Sequence, residues 1–293
     1  MLPGRHRLNA LLQQHVTGSL PLTASVFDGK VAQCAHHLTR FREARATDRP
    51  PDAALELGTG WYPIVPIGLA LAGVREVTTI DVTSLVGPDR VRRALELFAA
   101  ALESGRLATA LPATDPARVE TVLAAARDHI APPDEVLARV GVRAMVGDAR
   151  VSGLPAGSID LVVSNNTLEH IPPHVLEEIV FEFRRVSAPG AVMDHFVDIS
   201  DHYAHFDSSI TEFNYLRYGP RTWRLVNNRL QYQNRLRASD YRRLIESAGL
   251  RVIAEEIERG TPEQLAQITV AAPFHAYARE DLLILRMWLT AVA

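Results

Sequence analysis

Glu56-Leu57-Gly58-Thr59-Gly60 closes an apolar run that begins at Ala54, and it sets an acid just before two glycines one residue apart. Gly58 and Gly60 reach backbone angles that a Cβ forbids and leave no side chain between main chain and ligand. A turn of this kind grips a nucleoside. In dinucleotide-binding units a third glycine packs the helix on the strand, with the pyrophosphate at the helix N-terminus. Here that position is Pro63, which suits a first helical turn but adds bulk where the dinucleotide fingerprint has none. Glu56 repels a pyrophosphate and attracts an ammonium or sulfonium.

A second chemistry-bearing stretch runs from Asp194 to Asp207, with three histidines and four aspartates within fourteen residues. Burying so many titratable groups without partners is costly, which points to use rather than filler. An imidazole oriented by a carboxylate can take the proton of an attacking hydroxyl or amine. His195 or His202 is the candidate base and Asp198 the candidate orienting partner. Two alternatives stay open. Histidine and aspartate pairs also cap and stiffen loops, and His195, Asp198, His202, His205 and Asp207 are nitrogen and oxygen donors that suit a divalent ion. The His-x-x-x-His spacing of helical zinc motifs is absent, so no metal is expected.

Further motifs stand in order along the chain. Val77-Thr78-Thr79-Ile80-Asp81 is a β-rich run whose terminal acid lies about 25 residues beyond Glu56, the spacing at which an acid reaches ribose hydroxyls. Val146-Gly147-Asp148-Ala149 comes next, then the apolar run Ile159 to Ser164 with Asn165-Asn166, then Leu168-Glu169-His170. Together these resemble the class I S-adenosylmethionine-dependent methyltransferases of small-molecule type, whose first motif reads Glu-x-Gly-x-Gly. The resemblance spans roughly residues 53–290. It implies S-adenosyl-L-methionine as cofactor and S-adenosyl-L-homocysteine as product. Glu56, Gly58, Thr59 and Gly60 would cradle the cofactor, Asp81 its ribose, Asp148 its adenine amino group, the Ala149 amide the ring, and Asn165 the methionine end. His170 would pack at a helix start, contact with substrate being the alternative. DNA and protein amide methyltransferases usually carry Pro-Pro after the Asn or Asp of this segment. This chain has Asn166-Thr167, which points away from a nucleobase acceptor.

The elements that must position these residues read as an α/β fold. The expectation is a doubly wound, mostly parallel, seven-stranded Rossmann-like sheet with one reversed strand, plus a helical cap from the N-terminus and an insertion. Residues 1–50 carry helical apolar spacing (Leu8, Leu11, Leu12, then Val31, Cys34, Leu38, Phe41) and are expected to form a lid. Residues 51–293 form the cofactor-binding domain, with a helical insertion over 85–141 and a His- and aromatic-rich substrate segment over 194–237. Helices are expected near 89–104, 115–130, 133–140 and 173–186, and strands near 142–146, 158–164, 189–197 and 251–257. Phe213, Tyr215, Tyr218, Trp223 and Tyr232 are interleaved with Arg217, Arg221, Arg224, Arg229, Arg235 and Arg237. That segment reads either as an aromatic pocket with cationic contacts for an acidic substrate, or as an amphipathic surface whose arginines face water.

Composition excludes several classes. A net charge of −3 supplies no basic face for nucleic acid, no stretch approaches bilayer-spanning length, and the lone Cys34 permits no intrachain disulfide. A cytoplasmic protein with a small-molecule partner, and no nucleic-acid or membrane partner, is expected; the oligomeric state is not legible. Methyl transfer to an oxygen or nitrogen of a small molecule, a sugar or specialised metabolite, is the leading reading. Another alkyl transfer or cyclisation that consumes the same cofactor is the alternative. An NAD-dependent reductase and a non-catalytic binding protein that kept the fold are further ones.

Overall fold

The computed structural model describes residues 22–111, 113–128, 131–227 and 232–293. Two compact units divide the chain: a larger one of Leu22–Asn165, Phe181–Asp194 and Val292–Ala293, and a smaller one of Asn166–Val180 and His195–Ala291.

The larger unit starts with helix α1 (Ala24–Arg45). Thr23 caps it, its hydroxyl accepting from the Val26 amide at 3.2 Å, and Ala46 ends it in the left-handed region. Phe27, Val31, Cys34, Leu38 and Phe41, spaced three or four apart, form its buried stripe. That stripe packs on α2 (Ile64–Leu71), every residue of which is buried. Gly68 permits the close approach, since a Cβ there would lie 2.9 Å from Cys34 Sγ. The described part of the expected lid is thus built into this unit's core. Its other part, around Leu8, Leu11 and Leu12, lies outside the described residues.

Strand β1 (Ala53–Leu57) is buried throughout, as a central parallel strand must be. It pairs in parallel with β2 (Glu76–Asp81) on one side and β4 (Ile159–Asn165) on the other. β3 (Val142–Val146) pairs with β2, setting Asp81 opposite Val146. Among its described residues the insertion holds four helices rather than the expected three: α3 (Pro88–Glu103), α4 (Arg106–Ala110), α5 (Pro116–Arg127) and α6 (Pro133–Arg139). The additional one arises at Gly105, whose φ of 73° stops α3 and lets a short helix restart. Val91, Leu95 and Phe98 of α3 join the core.

After α7 (Pro173–Val186) comes β5 (Ser187–Asp198), and after α8 (Pro220–Val226) and α9 (Ala238–Ser247) come β6 (Arg251–Arg259) and β7 (Ile284–Val292). The sheet order is β3-β2-β1-β4-β5-β7-β6. β7 is the reversed strand. Ile199 at the end of β5 bonds Leu285 at the start of β7, and Gly190 near the start of β5 bonds Ala293 just past the end of β7. The strand order turns back between β1 and β4, the place where open α/β sheets take ligands beyond their carboxyl ends. Among the described residues no helix is long and apolar enough to cross a membrane.

Candidate active site

In the larger unit, hydrogen bonds tie the carboxyl ends of β1, β2 and β3 into one rim. The Gly58 amide donates to the Ile80 carbonyl at 2.8 Å, and the Gly147 amide to the Asp81 carbonyl at 2.9 Å. The Gly60 amide donates to Asp81 Oδ2 at 3.1 Å, while Asp81 Oδ1 accepts from the Thr83 amide at 3.0 Å. Gly58 (φ 86°) and Gly60 (φ 63°) both sit in the left-handed region, where glycine is favoured. A Cβ built on Gly60 would meet no protein atom within 4 Å, so the turn opens onto empty space. Turn and acid are thereby fixed to each other, and both suit a nucleoside laid across the rim.

Glu56 and Thr59 face inward. The Thr79 hydroxyl donates to Glu56 Oε2 at 2.7 Å and lies 2.6 Å from the Thr59 hydroxyl. The Thr59 side chain therefore braces the turn and leaves its main chain for a ligand. Glu56 is 4% exposed. Burial pushes its carboxyl up to about 7 against the opposing pull of the Thr79 hydroxyl and Lys30, and nearby Asp81 pushes in the same direction as burial. A sulfonium or ammonium beside it would favour the ionised form.

Asp148, the expected partner of the adenine amino group, is already paired. It is exposed, and Arg150 grips it from both guanidinium and amide, with Nη2 2.6 Å from Oδ2. Those bonds hold its carboxyl below the usual range. An adenine amino group would have to share or displace Arg150, an exchange that an exposed ion pair allows at small cost. Ala149 is buried and starts a 3-10 turn over Ala149–Val151.

Asn165 ends β4, buried, with Oδ1 3.2 Å from His37 Nε2. His37 Nδ1 lies 2.7 Å from Asp194 Oδ2, and His36 Nδ1 lies 3.2 Å from the same oxygen. His37 and Asp194 are both fully buried. Burial alone would push the Asp194 carboxyl up, but the two histidines hold it well below the carboxylate range. Sequence reasoning missed His36 and His37. A signal exists: His37 falls on the buried stripe of α1 beside Leu38, and a histidine on such a stripe requires a partner.

In the smaller unit, the residues after β5 form a second polar cluster. Asp198 ends the strand, and its Oδ1 accepts from the Ser200 amide at 2.9 Å and hydroxyl at 2.6 Å. Oδ2 faces His205 Nε2 at 3.4 Å and Arg286 Nε at 3.5 Å. Burial raises the Asp198 carboxyl, yet His205 and Ser200 outweigh it and hold the group well below its ordinary value. His205 is raised in return, chiefly by Asp198. His202 is largely buried, and its Nε2 has no hydrogen-bond partner among the described residues. Burial, reinforced by neighbouring His170, pulls it down to about 4, so this imidazole is neutral at physiological pH.

His195 is not in this group. It lies inside β5 rather than past its end and is 1% exposed, so the proton-handling expectation narrows to His202 and Asp198. Asp201 and Asp207 take the capping role: Asp201 accepts from the Tyr203 amide, Asp207 from the Ser209 amide and hydroxyl. The aromatic and arginine segment divides between a packed core and exposed arginines. Tyr215, Trp223 and Phe274 pack as core, Arg235 lies 4.6 Å over Trp223, and Arg237 is wholly buried among the carbonyls of Ile199, Asp281, Leu282 and Ile284. Arg217, Arg221 and Arg224 remain exposed; Arg229 lies outside the described residues.

Comparison with known proteins finds a matching family model and similar folds. A family model described as a methyltransferase domain matches residues 98–193, a span that includes Asp148, Asn165 and Glu169 but begins beyond the glycine turn and Asp81. No match is found among curated proteins. A candidate sarcosine dimethylglycine methyltransferase from Galdieria sulphuraria is similar in structure, with TM-score 0.51 and 13% identity over 97% of both chains. An S-adenosylmethionine-dependent methyltransferase from Methanosarcina mazei has TM-score 0.46 and 15% identity over 85% of this chain and 95% of that one. At such identities the likeness is one of fold.

Proposed function

We propose that the chain is a class I S-adenosylmethionine-dependent methyltransferase and that it methylates an oxygen or nitrogen of a small molecule. The observation that carries the reading is the bond from the Gly60 amide to Asp81, which locks a glycine turn with open space above it to an acid at the next strand end. Acids at 56 and 81 on one hydrogen-bonded rim favour a cationic nucleoside without phosphates. Glu56, Gly58, Gly60, Asp81 and Asn165 would hold it, with Thr59 bracing the turn. S-adenosylmethionine, when bound, supplies a methyl group made electrophilic by positive sulfur.

Support for a small acceptor comes from the segment after β4: Asn166 at φ 51° and a 3-10 turn over Leu168–His170, in place of the Pro-Pro clamp for planar amines. Within the smaller unit, Nε2 of His202 carries a lone pair able to receive a hydrogen bond from an O–H or N–H and then hold its proton. An imidazole near 4 is a weak base. It suffices, because a hydroxyl or amine that is becoming bonded to carbon turns strongly acidic, and holding the acceptor in line supplies much of the acceleration. The buried thiol of Cys34 agrees with a cytoplasmic setting.

The test is incubation of the purified protein with methyl-labelled S-adenosylmethionine and metabolite extract. Label in a low-mass product together with S-adenosylhomocysteine is expected. Release of methylthioadenosine would mean aminoalkyl transfer or cyclisation instead, and tight NADH binding without S-adenosylhomocysteine binding would overturn the cofactor assignment.

A further inference from the structure

The same lone pair on His202 converges with two other donors, and an ion bound there would take the place of a proton, so the two uses exclude each other at any one time. Glu169, His170 and His202, all in the smaller unit, each present a ligand atom within 4.8 Å of the others. We propose that these three residues form a binding site for a divalent first-row transition-metal ion.

The ring nitrogens favour it. His170 Nδ1 lies 2.7 Å from the Tyr232 carbonyl, which can only accept, so Nδ1 carries the proton and Nε2 the lone pair. In His202, Nε2 is buried without a hydrogen-bond partner among the described residues, which leaves that nitrogen available to a ligand. Backbone carbonyls that fix Nδ1–H and thereby aim Nε2 are the usual support of metal-binding histidines. Ring spacing fits as well. Two imidazoles bound through nitrogen at about 2.1 Å put each ring centroid roughly 3.2 Å from the ion, hence about 4.5–5.2 Å apart at cis or tetrahedral angles. The observed centroids are 5.0 Å apart with the rings inclined by 63°.

Glu169 supplies the charge. It is 1% exposed, and its Oε1 accepts from the Asp198 amide at 3.4 Å. Asn234 fixes the turn that carries Glu169 and His170, donating to the Leu168 and Ile171 carbonyls at 2.8 and 3.0 Å and from its own amide to the Glu169 carbonyl at 2.8 Å. His202 stands on a second fixed turn, capped by Asp201. Two nitrogens and one carboxylate suit iron(II), manganese, cobalt or zinc, and three protein ligands leave positions open for another molecule. The overlapping trio Asp198, His202 and His205 also lies within 4.8 Å. It is the poorer site, since Arg286 already faces the Asp198 carboxylate at 3.5 Å and would repel a second cation.

The experiment uses untagged, metal-stripped full-length protein titrated with Co2+ and followed by visible absorption and calorimetry, so it does not depend on methyl transfer. Saturation at one equivalent is expected. Affinity should fall about tenfold or more in Glu169→Gln, His170→Gln and His202→Gln, the loss usual for disturbing such a shell, and stay unchanged in His205→Gln. Circular dichroism checks each fold, and His170→Gln, at an exposed position, decides should a buried variant fail to fold. Absence of saturable binding would overturn the proposal. Binding that persists in His170→Gln but is lost in His205→Gln would overturn it too.

Discussion

Glu56→Gln isolates one buried titration. The carboxyl of Glu56 stands at about 7 in the folded protein against an ordinary 4.5, because burial penalises its charged form more than the Thr79 hydroxyl and Lys30 restore it. Between those values the folded chain keeps a proton that the unfolded chain has released. Stability from this group is therefore full below about 4.5 and is lost as pH rises to about 7. At roughly 1.36 kcal/mol per pH unit, the gap is worth about 3 kcal/mol. Glutamine keeps the shape, can still accept from the Thr79 hydroxyl, and does not titrate. Urea denaturation of both proteins from about pH 4.5 to 8.5 should show the variant's advantage growing by about 3 kcal/mol across that range and levelling off above pH 7. Subtracting the profiles removes groups that titrate alike in both, Asp194, Asp198 and His205 among them. A difference independent of pH would refute the reasoning. Ligand binding should run the opposite way: a cationic nucleoside favours the carboxylate, so the wild-type affinity for S-adenosylmethionine should weaken as pH falls below about 7, by up to tenfold per unit, while the variant's stays flat.

Asp81→Ala should weaken S-adenosylhomocysteine binding by about 1–3 kcal/mol, read by calorimetry, because hydrogen bonds to a charged group are lost; unchanged affinity would remove Asp81 from the cofactor site. Asp194→Asn should cost about 3 kcal/mol of stability near neutral pH, since it breaks a buried charge-assisted pair with His36 and His37. Asp194 is held well below its ordinary value, so its contribution is present above about pH 4 and lost in stronger acid; a gap from wild type that does not narrow there would count against the pairing. His202→Gln should lower kcat for methyl transfer about 100-fold or more with cofactor affinity intact, and equal losses in kcat and cofactor affinity would assign His202 to cofactor binding instead.

The legible parts of this fold are those written in consecutive residues. β1 is readable as an apolar run ending at an acid, because a strand buried on both faces has nowhere to place polar residues except near its end, while β2 and the edge strand β3 are readable as β-branched or apolar runs closed by Asp81 and by the Gly147-Asp148 turn. The Gly58–Gly60 turn and Asp81 are readable for the same reason: the bond between them joins residues whose spacing is set by one strand-helix-strand unit. The illegible parts depend on partners far away in sequence. Asp194 opens a polar run that leads along the chain to His202, yet its partners are His36 and His37, 158 and 157 residues earlier. Strand alternation explains the split, since Asp194 and His195 must point to opposite faces of β5.

Arg237 shows the other limit of sequence reading. The five arginines before it suggest cationic contacts or a solvated face, but its guanidinium satisfies carbonyls at the end of β5 and before β7, and no side chain in the sequence advertises those acceptors. Backbone acceptors become visible only once loops are placed. The same holds at the cluster after β5. Donors abound there, and the fold sorts them by what each backbone amide or neighbouring side chain has already claimed: Asp201 and Asp207 go to caps, and Asp198 to Ser200 and Arg286. The imidazole nitrogen that this sorting leaves over is where chemistry can occur, and counting histidines could not have selected it.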